Sequence, residues 1–310
     1  MQDAALQESL EALERMPAWL AECARRFRTE EVRTRAPDGS FSLVEHACHL
    51  ADLEREAYQA RIARIRAEQN PHLADFDGAA AAEAGRYHER ALAQSLAAFG
   101  AARARSLETL RAVRPGEWNR PASQEGVGAL TLKDIPRLMA EHDASHRAEL
   151  EALRAGILGQ ALAATPAKLR AAIGEFSDAA LRRPPLFPPK DAEALSAIGH
   201  ACHLRDIEID GYHVRIRRTR TETNPSLPSL DSDRLAVERR YDASDAGAAL
   251  EAFERARATT LADLRSVRPD EWARPADFEG YGAVTLLGLL EILRGHDAVH
   301  LAALAGLARN

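Results

Sequence analysis

His46-Ala47-Cys48-His49-Leu50-Ala51-Asp52-Leu53-Glu54 returns 154 residues later as His200-Ala201-Cys202-His203-Leu204-Arg205-Asp206-Ile207-Glu208. A second stretch, His142-Asp143-Ala144-Ser145-His146, returns at the same spacing as His296-Asp297-Ala298-Val299-His300. Working outward, residues 41–150 align with 195–304 without a gap and share 50 identities in 110 positions. Solenoid repeats run to about 50 residues, so a repeat of this length marks a duplicated domain. The sequence therefore predicts two domains, 1–155 and 156–310, with 151–164 as a linker of helical character.

Each half reads as four helices. In the first, Leu6, Leu10, Leu13, Met16 and Leu20 recur at helical spacing over about 3–28. The counterpart is expected over about 165–182, stopped by Pro184-Pro185 and Pro188-Pro189. The second helix starts after Ser42, where Glu45 completes a capping box; in the other half Ser196 is followed by Gly199 and the box is incomplete. It ends before Asn70-Pro71, or Asn224-Pro225, because a residue preceding proline avoids the helical region. A long connection leads to a third helix over roughly 81–113 and 235–267, which suits a crossover better than a hairpin. Pro115, Trp118, Pro121, Gly126 and Gly128, matched by Pro269, Trp272, Pro275, Gly280 and Gly282, mark an ordered loop, with each tryptophan closing a bundle end. The fourth helix begins at Thr131 or Thr285. The expected fold class is all-α, two tandem four-helix bundles.

Composition narrows the function. Ala, Leu, Glu and Arg are abundant while aromatic residues are 5% and Gly only 18, favouring helices over sheets. The formal charge of −6, with acidic residues interspersed among 38 arginines, argues against nucleic acid as a partner. No stretch approaches the ~20 apolar residues that span a bilayer, and the amphipathic first residues are unlike a signal peptide. Cys23, Cys48 and Cys202 make no disulfide framework, so a cytoplasmic location is expected.

The histidines carry the chemistry. Residues four apart on a helix share a face, so His142 and His146, like His296 and His300, can present two imidazoles to one ion. Either His46 or His49, and either His200 or His203, can add a third from the second helix. Three neutral imidazoles suit Zn, Ni, Fe or Cu and leave a position for water or substrate. Asp52 and Asp206, or Asp143, are candidates to accept a ligand's outer N–H or relay a proton. A ferritin-like di-iron site requires Glu-x-x-His pairs, and the sequence has none. The two sites are not expected to be equivalent. Glu45 becomes Gly199, Ala51 becomes Arg205 and Arg147 becomes Leu301. A Glu45 carboxylate at the first site would make it the tighter one.

These residues carry a resemblance to the DinB superfamily of YfiT-like proteins. His-Leu-x-Asp-x-Glu lies on the second helix, His-Asp-x-x-His on the fourth, and Gly-x-x-Thr before the latter, once in each half. The resemblance implies a crossover bundle whose metal ligands are His49, His142 and His146, then His203, His296 and His300; His46 and His200 lie outside its motif. It implies up to two divalent ions (Zn, Ni or Fe) per chain and a monomer forming an internal pseudo-dimer. It also implies a bacterial metal-dependent enzyme acting on a small molecule, as a transferase using a low-molecular-weight thiol such as bacillithiol or mycothiol, or as a hydrolase. The alternative is a non-catalytic metal-binding or stress-response module.

Overall fold

Leu13, Met16, Leu20 and Cys23 form the buried stripe of α1 (Ala4–Arg25) in the computed structural model, which describes residues 4–184 and 194–309. The chain divides into two units, Met1–Leu153 and Arg154–Asn310.

In the first unit, α2 (Leu43–Asp52) opens on the expected box, with the Ser42 N–H donating to Glu45 at 2.9 Å. It runs without a break through a π-helical turn, Leu53–Tyr58, into α3 (Gln59–Ala67). The π turn leaves no mark in the hydrophobic period. The helix ends at Glu68, whose backbone turns extended, and Asn70 follows at φ 48°. The connection contains β1 (His72–Leu73) and α4 (Gly78–Ala84), and leads into α5 (Leu92–Arg111). The third helix expected from residue 81 is therefore two helices. Arg86 sits at φ 49° after an alanine-rich run that would otherwise read through.

The expected loop folds into a small sheet. Its β2 (Pro121–Gln124) pairs in parallel with β1 and antiparallel with β3 (Gly128–Thr131), Pro121 facing Thr131. Gly126 and Gly128, at φ 75° and 93°, make the turn between β2 and β3, a backbone that side chains rarely tolerate. Strands of two and four residues are too short to show alternation. The Arg120 guanidinium ties this sheet to the end of α3 through the Ile65 carbonyl, at 2.6 Å.

The next helix, α6 (Asp134–Gly174), holds the largest departures from the sequence reading. It begins three residues after Thr131, whose N–H and hydroxyl both donate to Asp134 at 2.8 Å. Pro136 thus lies in the first turn, where no backbone bond is lost. The helix also runs through the expected linker. The unit boundary falls inside it, and its later part is the first helix of the second unit, well ahead of residue 165. From Ala148 to Ala164 the residues are helix formers apart from Gly156 and Gly159, and the helix runs through both.

The second unit continues with α7 (Asp178–Leu181), α8 (Ala197–Asp206), a π turn at Ile207–Tyr212 and α9 (His213–Thr221). Then follow β4 (Ser226–Leu227), α10 (Ser232–Glu238), α11 (Ala246–Arg265), β5 (Pro275–Phe278), β6 (Gly282–Thr285) and α12 (Leu286–Leu307). Pro185, Pro188 and Pro189 lie outside the described residues. Here Thr285 is the N-cap that the sequence predicts, accepting from the Gly288 N–H at 3.0 Å.

Leu13, Leu53, Tyr58, Ile62, Leu107, Leu110, Ile135 and Met139 share the core of the first unit, with Trp118 packed at its margin. In the second, Trp272 is buried with Leu162, Ile207, Tyr212, Leu286 and Leu290. Among the described residues, no helix is long and apolar enough to cross a membrane.

Candidate metal centres

The nine residues that open the sequence argument form α2 and the start of its π turn, and they bury nearly every side chain. His46 and His49 are 2% and 8% exposed, an unusual depth for imidazoles without a purpose. Across from them, α6 presents His142 and His146 one turn apart, ring centroids 4.4 Å from each other. The His142 Nε2 lies 3.5 Å from His49 Nε2 and 3.2 Å from His146 Nε2. In the second unit, His296 Nε2 lies 2.9 Å from His203 Nε2 and 3.2 Å from His300 Nε2. Tetrahedral bonds of ~2.0–2.1 Å would separate ligand nitrogens by about 3.3 Å. Both triads are close to that spacing, and in each the three ligand atoms lie within 4.8 Å of one another.

Burial, reinforced by the neighbouring imidazoles, lowers His49 to about 4 and His142 to about 3. The same causes take His203, His296 and His300 to about 3. Neutral rings keep a lone pair on the nitrogen that faces the group's centre. Lone pairs converging in a largely buried space repel each other unless a cation joins them. The donor set therefore fits a divalent transition metal, and among the described residues each group comprises three ligands, leaving coordination positions for water or a substrate.

The acidic residues do other work. Asp52 accepts from Tyr87 at 2.7 Å and from Arg55 at 2.8 Å. Asp206 accepts from Tyr241 at 2.7 Å and is held by Arg205 and Arg239. Both oxygens of each carboxylate are taken, and His49 Nδ1 has no hydrogen-bond partner. Asp52 and Asp206, the sequence's candidates for an outer partner or proton relay, each join the triad-bearing helix to a tyrosine of the following connection. Asp143 is likewise committed. Its two oxygens receive Arg103 at 2.7 and 3.0 Å, while Arg103 Nε donates to Glu54 at 2.9 Å. Asp297, Arg257 and Glu208 repeat this buried trio.

Arg103 also donates to the Leu13 carbonyl, and Arg257 to that of Leu162. Leu162 thus takes the place of Leu13, which shows where in α6 the first helix of the second unit lies. The arginines were missed because one arginine among 38 draws no attention. The signal was the retained Ala102-Arg103-Ala104 and Ala256-Arg257-Ala258, each arginine four residues after a retained phenylalanine, Phe99 or Phe253, on the apolar stripe of its helix.

Glu45 does not reach an imidazole either. It receives Arg35 and the Ser42 N–H, and against the desolvation of its burial Arg35 lowers it to about 2. Arg147 stacks on Trp19, and Arg205 serves Asp206. None of the three substitutions singled out in the sequence acts on the triads as anticipated. Differences nearer the ligands do. Phe41 and Phe76 stand 5.6 and 5.9 Å from His49, ring to ring, where the second half has Leu195 and Leu230. Gly78 lets the His49 ring approach so closely that an added Cβ would lie 2.7 Å from its Cε1; the equivalent residue is Ser232.

His46 and His200, whose roles the sequence leaves open, back the last ligand of each triad. His46 Nδ1 is 2.9 Å from His146 Nδ1, and His200 Nδ1 is 2.8 Å from His300 Nδ1. Each thus sits behind the last histidine of its triad.

Comparison with curated proteins finds no match. Among solved structures the chain is similar to YfiT from Bacillus subtilis, described as a probable metal-dependent hydrolase with an unusual four-helix bundle topology. That likeness has 21% identity and a TM-score of 0.45, and it covers 50% of this chain and 86% of that one. The profile of the DinB superfamily matches residues 12–150 and again 161–304. Two consecutive matches that take in most of the sequence make this chain a member of the DinB superfamily, with the domain present twice.

Proposed function

We propose that the protein is a metal-dependent enzyme acting on a small molecule, with one centre in each half held by His49, His142 and His146 and by His203, His296 and His300. The observation that carries this reading is the convergence of three imidazole nitrogens in each half, two on buried rings and one on a partly buried ring, with no fourth protein ligand in either group among the described residues. A structural site closes its coordination shell with protein groups; a catalytic one keeps a position free. The centre would take Zn, Ni or Fe, up to two ions per chain. When bound, the ion supplies Lewis acidity toward a carbonyl, a thiol or water.

The chain's own residues do the rest. Helix α6 fixes two ligands on one face, and the buried Arg103 trio holds Asp143 and with it the helix turn that carries His142. Phe41 and Phe76 flank His49 and limit water on that side. Burial pushes the Tyr58 phenol up, so this ring, which stands edge-on to His142, remains a neutral hydrogen-bond donor at neutral pH. The reactions that fit are hydrolysis and transfer involving a low-molecular-weight thiol. A screen of metal-loaded protein against bacillithiol and mycothiol conjugates and against small esters and amides tests this. Turnover that disappears in His146→Ala, His300→Ala supports the proposal. Stoichiometric metal with no turnover of any substrate class would favour a binding or stress-response module in a reducing cytoplasm.

A further inference from the structure

Among the described residues, His146 has two neighbours on its outer side, whereas His300 has one. In the first unit, His146 Nδ1 lies 2.9 Å from His46 Nδ1 and also 2.9 Å from the Glu149 carboxylate, three residues further along α6. His46 itself is 3.8 Å from Glu149. In the second unit, His300 Nδ1 faces His200 Nδ1, and the position three residues further along α12 is Ala303. The charges acting on His200 and His300 include no carboxylate.

Proton placement makes this difference consequential. A neutral imidazole that offers Nε2 to an ion carries its hydrogen on Nδ1, and that N–H needs an acceptor. His300 can donate only to His200, which must then hold its own hydrogen on Nε2. His146 can donate to a carboxylate. A hydrogen bond to an ionised acceptor is stronger than one to a neutral ring, and it places more electron density on the nitrogen that faces the ion. Glu149 is about half exposed, with a 48% exposed side chain, which moderates the effect.

We infer that Glu149 is a positioning residue that makes the first centre bind its metal more tightly than the second, so the first fills first when metal is scarce. This rests on the triads being metal centres. Outer partners of this kind change affinity about 10–100-fold, and the exposure of Glu149 places the expected ratio near the lower end, about tenfold.

Zinc titration against a chromophoric chelator tests it on two full-length variants. His300→Ala retains the first centre, and His146→Ala retains the second. The first variant should bind one zinc about tenfold more tightly. Adding Glu149→Ala to it should remove that advantage. Adding Ala303→Glu to the His146→Ala variant should raise its affinity by a similar factor, a gain that a merely structural role for Glu149 would not produce. Equal affinities in the two variants, or no gain from Ala303→Glu, would overturn the inference while leaving the metal centres standing. A second zinc on the His300→Ala variant that disappears with Glu149→Ala would also overturn it, because His46, His146 and Glu149 would then hold an ion themselves. If neither the variants nor the parent bind zinc or another divalent transition metal, the metal reading falls and this inference with it.

Discussion

Around His49 stand two phenylalanines, a glycine and, behind His146, a carboxylate; the second half has Leu195, Leu230, Ser232 and Ala303 in those places. Yet the six triad histidines, the two backing histidines and the two buried arginine trios are the same in both halves. What the halves share is what gathers three imidazoles. What they do not share lies where a substrate or an outer hydrogen bond would register the change. The comparison separates the device that builds a centre from the residues that tune it, and variants can act on each part separately.

The largest effect should come from acid, because several groups respond together. His46, His49 and His142 in the first half, and His200, His203, His296 and His300 in the second, are lowered to between about 3 and about 4, chiefly by burial. Unfolded, each takes up a proton near pH 6.5. Between those values the unfolded chain binds more protons, so stability is full above about pH 6.5 and falls as pH drops toward about 4. Urea midpoints of the metal-free protein measured from pH 8 to 4 should show this decline, and a flat profile would contradict it.

Next in size are the buried trios. Arg103→Met or Arg257→Met would strand two carboxylates in the core, a loss of about 3–5 kcal/mol. Glu208 grips Arg257 with both oxygens, whereas Glu54 uses one, so the second half should lose more. Denaturant unfolding of each variant checks the order, and a loss below about 1 kcal/mol in both would remove the trios from the account.

A smaller effect tests the close approach at His49. Gly78→Ala should cost about 1–3 kcal/mol, because the new methyl overlaps the imidazole, and should weaken metal binding at the first centre. Ser232→Ala, its partner in the other half, should change stability by about 0.5 kcal/mol or less. Similar losses in both would mean that the contact is unimportant. Smallest is the helix cap. Glu45→Ala should cost about 1 kcal/mol through the lost box at Ser42 while leaving zinc affinity at the first centre unchanged. An affinity change would restore Glu45 to the site.

Much of this was legible in the sequence because duplication marks which residues persist. The helices that carry the histidines and the pairing of His142 with His146 and of His296 with His300 follow from spacing, the caps at Ser42 and Thr285 from residue type, and the choice of His49 and His203 from the family resemblance. The continuity of α6 was not legible, because Gly156 and Gly159 are residues that often end a helix, yet the helix runs through both. Nor was the π turn, which shifts helical phase within six residues. The surroundings of the aspartates were not legible, because a carboxylate one turn from a histidine fits both an outer partner and a clamp. Only the third dimension shows that Tyr87 and Tyr241 claim them. Glu149 escaped notice because the alignment drew attention to retained residues, and its meaning lies in having no counterpart.

The central claim, two three-histidine centres, is tested most directly by counting metal. The chain is stripped, reloaded with zinc, freed of excess and measured by elemental analysis. The account predicts about two equivalents for the parent, about one for His146→Ala and for His300→Ala, and none for the double variant. A double variant that retains as much metal as the parent would contradict it.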